Sequence, residues 1–302
     1  MYVVLSGATG FVGRALCRRL KAAGHRLGVV SRDPGGAAGR IGIEVDAHDS
    51  AVGFAAEPVA AVVNLAGAPI FGGRWSESRK RTLIDSRVAA TADLVALCRR
   101  LDSPPAVMVS ASAMGYYGDQ GEREVVEATP PHDEFAHRLC ALWEQAAKPV
   151  ESLGVRLVIA RFGLVLDPDG GMLRSMLPTV RFGACARLGD GRQFMPWIAR
   201  SDLVEALVWL LEDRAQEGVF NLSAPRPLRN AEFMAALGRA LHRPVPWRIP
   251  ARLLELGLGE MSRMLLTGAD MRPRRLLEAG FEFSHPELDG ALAAMLERKR
   301  SR

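Results

Sequence analysis

Short apolar runs recur along the chain at regular intervals. Tyr2-Val3-Val4-Leu5, Arg26-Leu27-Gly28-Val29-Val30, the stretch from Val59 to Leu65, Ala106-Val107-Met108-Val109-Ser110 and the stretch from Val155 to Ala160 all have strand length, and segments of helix length separate them. Helical spacing appears in Val12, Leu16 and Leu20. It appears again from a capping Ser76 through Leu101, and from Asp133 to Ser152 through Leu139, Leu142, Trp143 and Ala146. Strands alternating with helices predict an α/β fold, with a parallel sheet, right-handed crossovers and helices on both faces. The rhythm changes after Leu166. The loop Asp167-Pro168-Asp169-Gly170-Gly171, the segment from Arg187 to Ile198, and Pro244, Pro246 and Pro250 break the alternation. A first domain over residues 1–166, to which 201–222 return, is therefore expected beside a smaller, mainly helical second lobe over 167–302. The last helix sets Leu288, Ala291, Leu292, Met295 and Leu296 on one face, a stripe that belongs in a core.

The chemistry begins where the first strand meets the first helix. Gly7-Ala8-Thr9-Gly10-Phe11-Val12-Gly13 stands at that junction. Glycines there let the backbone turn tightly and approach a pyrophosphate, and the free N–H groups opening the helix face its oxygens. A side chain at Gly10 would block that approach. With a strand before and a helix and strand after it, the motif predicts a dinucleotide site on a Rossmann-type, doubly wound sheet. The second strand ends in Ser31-Arg32, where an NAD site would ordinarily place an acid for the ribose. A hydroxyl and a guanidinium suit a 2′-phosphate, so NADP (NADPH) is the expected cofactor. Asp33 points the other way: a longer strand would bring it to a ribose diol.

Composition narrows the class. The 302 residues are 48% hydrophobic and 24% charged, which are globular values. The longest apolar stretch, Val155 to Leu166, is interrupted by Arg156 and Arg161, so no membrane span is expected. With no basic leader before the glycine turn, the cytoplasm is the expected location. Cys17, Cys98, Cys140 and Cys185 are scattered and the six histidines do not cluster, so no metal is assigned. A net charge of +5 and the basic end Arg298-Lys299-Arg300-Ser301-Arg302 come without a recognition motif or aromatic platform, and no nucleic acid is expected.

Several further landmarks carry a family resemblance. They are Asn64-Leu65-Ala66-Gly67, Gly73-Arg74-Trp75, Ser86-Arg87, Ser112 to Gly118, Trp143-Glu144, Arg161 to Leu166, Gly191 to Ile198 and Leu277 to Phe283. Together they resemble the SDR39U1-like epimerase group of atypical extended short-chain dehydrogenase/reductases, over essentially the whole chain. The resemblance implies NADP held by the glycine loop, Ser31-Arg32, Leu65-Ala66-Gly67, Arg87 and Arg161, and a small DUF1731-type C-terminal domain at about 248–297. Arg87 could equally be a helix-surface arginine, and Arg161 a buried, paired one. One departure is local: the group usually follows Trp-Ile with His, whereas Trp197-Ile198 leads here to Ala199-Arg200.

The usual catalytic pair of that superfamily is missing. Tyr-x-x-x-Lys, in which lysine and the cofactor ribose lower the tyrosine pKa for proton exchange, has no counterpart, and the expected helix reads Phe135-Ala136-His137-Arg138-Leu139. Ser112 stands at the position of the substrate-orienting serine, or is a strand-end hydroxyl bonded to backbone. Tyr116 or Tyr117 could swing in as an acid, or pack over the cofactor, and His132, Asp133, Glu134 and His137 could supply a substitute. Gln193 and Trp197 are the expected substrate-pocket residues, one amide and one aromatic wall for a small polar ligand, although Trp197 also fits a core. Two functions follow from this. One is an NADP-dependent oxidoreductase or epimerase acting on a small nucleotide-sugar or carbonyl compound. The other is a catalytically silent NADP-binding sensor or scaffold.

Overall fold

A computed structural model describes residues 1–183 and 185–300; Ser301 and Arg302 of the basic end lie outside them. The first half alternates as its apolar pattern dictates: β1 (Tyr2–Ser6), α1 (Phe11–Ala22), β2 (Arg26–Val30), α2 (Ala37–Ile41), β3 (Asp46–His48), β4 (Ala61–Asn64), α3 (Glu77–Arg100), β5 (Val107–Ala113), β6 (Glu124–Val125), α4 (Phe135–Ala147) and β7 (Arg156–Phe162). Ser76 caps α3, its side chain accepting from the Arg79 amide. The helix expected over 133–152 is shorter, because Pro149 converts its last turns into a tight helix over Lys148–Leu153 that ends at left-handed Gly154.

The main sheet has seven parallel strands in the order β12-β7-β5-β4-β1-β2-β3, with β12 formed by Gly218–Leu222. Alternate residues serve opposite faces. Val3, Leu5, Ala61, Val63, Val107 and Val109 pack against Leu16 and Leu20 of α1, whereas Tyr2, Val4, Val62 and Met108 pack against Leu94 and Leu97 of α3. The chain winds outward from β1 to β3, then returns to β4 and winds the other way. The strand order therefore reverses between β1 and β4, and the crevice for a ligand opens there, at the carboxyl ends of the strands.

A fully bonded asparagine aligns those ends. Asn64 Oδ1 accepts from Ser6 Oγ at 2.7 Å, and its Nδ2 donates to Thr91 Oγ1 at 2.8 Å and Ser110 Oγ at 3.1 Å. One buried amide thus ties β1, β4, β5 and α3 together just below the crevice.

The second lobe grows from β8 (Leu164–Asp167), α5 (Gly171–Arg181), β9 (Ala186–Leu188), β10 (Phe194–Met195) and β11 (Trp197–Ala199), after which α6 (Arg200–Glu212) packs back against α1. Beyond β12 come β13 (Leu228–Arg229), α7 (Asn230–Ala240), β14 (Trp247–Ile249), α8 (Ala251–Leu258), α9 (Arg263–Leu266), β15 (Asp270–Met271), α10 (Arg274–Glu278) and α11 (Leu288–Arg300). A core of its own forms from Leu173, Leu177, Trp197, Phe233, Leu237 and the apolar stripe of α11. The late chain also reaches back to the first half. β15 pairs with β6, Ser223 Oγ donates to Met271 O, Asn221 Nδ2 donates to Arg272 O, and Leu276 of α10 is buried in the core under the main sheet. Among the described residues no helix is long and apolar enough to cross a membrane.

Candidate functional site

The glycine turn and the loop after β4 touch at the crevice. Gly7 has φ +70°, and a Cβ there would lie 2.5 Å from the Leu65 carbonyl carbon and 2.8 Å from the Ala66 amide nitrogen. At Gly13 a Cβ would come within 2.3 Å of Gly7 O, because α1 packs directly on the strand-end backbone. Gly10 differs from both. Its φ of −75° suits any residue, and a Cβ would meet only Gly7 O, at 3.1 Å. That one contact is tight, but it is far milder than the backbone clashes at Gly7 and Gly13, and what the Gly10 hydrogen leaves clear is the space in front of α1. Thr9 is half-buried beside it, and neither a capping side chain nor an acid occupies the first turn of α1, so the amides of Phe11, Val12 and Gly13, ahead of the first helical bond from Arg14, face an anion. Phe11 itself turns toward the second lobe, where its ring fills the space that a Cβ on Gly170 would need and the Arg200 guanidinium lies 4.9 Å over it. Val12 packs against the core of the main sheet.

At the end of β2, Ser31 and Asp33 close a small loop on themselves. Ser31 Oγ accepts from the Asp33 amide and donates to Asp33 O, while the Asp33 carboxylate accepts from the Gly36 amide and pairs with Arg40. The strand ends at Val30, and Asp33 is engaged in its own turn rather than presented to a ribose. Arg32 is exposed and makes no ion pair among the described residues. Across the crevice Arg87 is half-buried on α3, where its Cζ would stand 2.9 Å from a Cβ on Gly67 and lies 5.0 Å over the Trp143 ring. Its Nη1 donates to Leu83 O, no carboxylate among the described residues pairs with it, and burial lowers its pKa. Arg32 and Arg87 are thus cations with unspent charge on either side of the glycine turn.

The groups expected to do chemistry are mostly tied to one another. Glu144 on α4 accepts from Ser112 Oγ at 2.6 Å and pairs with both Arg161 Nε and Nη2 at 2.8 Å. Arg161 Nη1 reaches Tyr117 Oη at 3.0 Å, and that hydroxyl donates to Asn221 Oδ1 at 2.6 Å. Contrary to the expectation of a cofactor-binding arginine, Arg161 is the interior cation of this network. Burial pulls its pKa down, and the hydrogen bonds and charges of Glu144 and Tyr117 more than reverse that, leaving it above the ordinary arginine value. Tyr117 is fully buried, and burial pushes its phenol up to about 12. Cys140, facing Ser112 and Glu144, has its thiol pushed up to about 11, chiefly by burial. A phenol and a thiol in these states hold their protons at neutral pH and serve the packing. Tyr116 remains only half-buried, its ring beneath the Arg161 guanidinium at 3.3 Å and edge-on to His137 at 5.0 Å.

These shifts have a sign that can be tested. Tyr117 and Cys140 bind their protons more tightly folded than unfolded, so their contribution to stability is complete below about pH 9 and falls between about pH 9 and 12. Urea midpoints are expected to decline over that interval. A midpoint constant from pH 8 to 11 would contradict the burial assigned to both groups.

Trp197 departs from its expected role as a pocket wall. It is completely buried among second-lobe core residues, with Nε1 donating to Arg226 O at 3.2 Å, because its strand runs between β8 and the lobe rather than along an opening. Gln193 does line a cavity, of about 290 Å³, that Met114 and Leu164 reach from the sheet side. Its Nε2 donates to Leu265 O at 2.7 Å and Leu188 O at 3.2 Å, which fixes the amide orientation. Two features escape the sequence reading. Glu144 is visible only as half of a Trp-Glu landmark, since nothing local marks its partners across the sheet. The methionines of the cavity come from the turn after β5 and from β10, α5, α7 and α9, and no single segment announces them.

Comparison with known proteins bears on this arrangement. Residues 3–223 match the NAD dependent epimerase/dehydratase family, and residues 249–295 match a domain of unknown function, DUF1731. "Epimerase family protein Mb2239" of Mycobacterium bovis is 40% identical over 296 residues, covering 96% of each chain. The mouse "Epimerase family protein SDR39U1" is 37% identical over 298 residues, covering 97% of this chain and 98% of its own. Among solved structures, human SDR39U1 with NADPH superposes with a TM-score of 0.89 at 34% identity, over 98% of this chain and 99% of the human one. A UDP-glucose 4-epimerase of Thermus thermophilus, solved with NAD, shares the fold at a TM-score of 0.78 and 18% identity, over 99% of both chains.

Proposed function

Because the chain belongs to the NAD dependent epimerase/dehydratase family, we propose that it binds NADPH and exchanges a hydride with a small organic substrate without a tyrosine-lysine pair. The observation that carries this reading is the space in front of Gly10, the glycine of the turn that internal packing constrains least. A pyrophosphate would lie there against the first amides of α1, with Leu65, Ala66 and Gly67 forming the facing wall. When bound, NADPH supplies the hydride. Arg87 contributes a desolvated positive charge beside that wall, and Arg32 one at the end of β2. Glu144 holds Ser112 and Arg161 in place as positioning residues. Tyr116, whose hydroxyl makes no hydrogen bond among the described residues, is the side chain we assign to proton delivery.

NADPH is preferred to NADH in this reading because Asp33 is spent within its own turn while Arg32 is free. The human relative's structure with NADPH supports the same choice. Arg32→Asp is expected to weaken NADPH binding about tenfold to a hundredfold, the worth of a hydrogen bond to a charged group, and to leave NADH binding within about twofold. Fluorescence titration of both cofactors measures the ratio. Equal loss for the two would remove Arg32 from the site.

The second reading, a silent NADPH sensor, draws on Ser112 and Tyr117 being spent in structural bonds. It is distinguished by turnover: NADPH that binds but is never oxidised across a carbonyl and nucleotide-sugar panel favours the sensor.

A further inference from the structure

The Gln193 cavity bears on the substrate. None of its lining side chains is charged, and six of them are methionines: Met114, Met172, Met176, Met195, Met234 and Met264. Flexible, polarisable thioethers adapt to irregular apolar shapes and offer nothing to an anion. Arginines beside lining residues are engaged elsewhere: Arg192 and Arg229 pair with Glu122, and Arg263 with Glu134. On β9 the cavity is lined by Ala186 and Leu188 while Arg187 between them is exposed, as strand alternation requires, and on β14 Ile249 lines the cavity while Arg248 donates to Gly189 O. Burying a pyrophosphate against such a wall would strip its charges of water with no lining cation to offset the loss. The volume argues the same way. About 290 Å³ is some ten times the volume of a water molecule, at the low end of ligand pockets.

From this we infer that the substrate is an uncharged, mainly apolar molecule bearing a single carbonyl or hydroxyl oxygen, and not a nucleotide sugar. Met114, just beyond the carboxyl end of β5, lines the cavity from the sheet side, and Phe71, 42% exposed, connects its wall to the surface. Polar demand inside is small. Gln193 Oε1 is buried without a hydrogen bond, and a ligand hydroxyl would supply the donor it lacks. The assignment of this molecule as a substrate rests on the reading of the chain as an NADPH oxidoreductase; its binding does not.

The test uses the full chain and the neutral ketone dye prodan. Prodan fluorescence is expected to rise and shift to the blue on binding, and the uncharged terpenoid ketone menthone should displace it while UDP-glucose at the same concentration does not. Met176→Arg, which places a charge on the half-buried wall, and Met176→Trp, which fills the space with apolar bulk, should each weaken prodan binding about tenfold or more, with NADPH affinity unchanged. Displacement by UDP-glucose, or prodan binding both variants as tightly as the parent, would overturn the inference. Failure of the parent chain to bind NADPH would instead overturn the proposed function and leave the dye result standing.

Discussion

Glu144→Ala should lower the unfolding free energy by about 3–5 kcal/mol, the usual consequence of leaving one member of a buried ion pair alone. The side chains of Arg161 and Glu144 are only 4% and 9% exposed, so solvent cannot replace the lost carboxylate. Ser112 Oγ loses its acceptor in the same step, and Arg161 keeps as hydrogen-bond partners among the described residues only Tyr117 Oη and the Glu127 carbonyl. Adding Arg161→Met should recover part of the loss, because the orphaned charge leaves with its partner. Urea unfolding of the parent, both single variants and the double variant measures the coupling. A single-variant cost below about 1 kcal/mol would mean that water reaches the pair.

Gly10→Glu should abolish measurable NADPH binding while the chain stays folded. A negative side chain would project into the space left for a pyrophosphate, combining steric exclusion with charge repulsion, and a loss of at least about a hundredfold, near 3 kcal/mol, is expected. Gly13→Ala is the opposing control, since its Cβ would collide with backbone atoms of Gly7 and Ala8 at 2.3 to 2.8 Å and destabilise the fold itself. Thermal melts and cofactor titrations together separate the two. Parent-like NADPH affinity in Gly10→Glu would show that the pyrophosphate lies elsewhere.

How much of this could be read from the chain depends on distance along it. The parallel sheet was legible because each strand declares itself over a few consecutive residues, and the glycine turn because its stereochemistry is local. Ser76 capping α3 is legible for the same reason. Arg161 and Trp197 were not, since an arginine that closes a strand reads alike whether it faces phosphate or a carboxylate 17 residues away, and a tryptophan after a loop reads alike as wall or core. The apolar cavity was the least accessible: it is assembled from side chains between Phe71 and Thr267 that share no spacing.

The pairing of β15 with β6, together with Asn221 and Ser223 bonding to the backbone at 271 and 272, bears on how such a chain could be inherited. The two family matches end and begin at a seam in the sequence, between residues 223 and 249, but not in the molecule. Cut at that seam, the first half would lose the carbonyl acceptors of Asn221 and Ser223 and the buried Leu276 beneath its sheet. The C-terminal segment is thus a keystone of the nucleotide half rather than a detachable module, and the two must change together, since neither can be exchanged for a foreign counterpart without reopening the other.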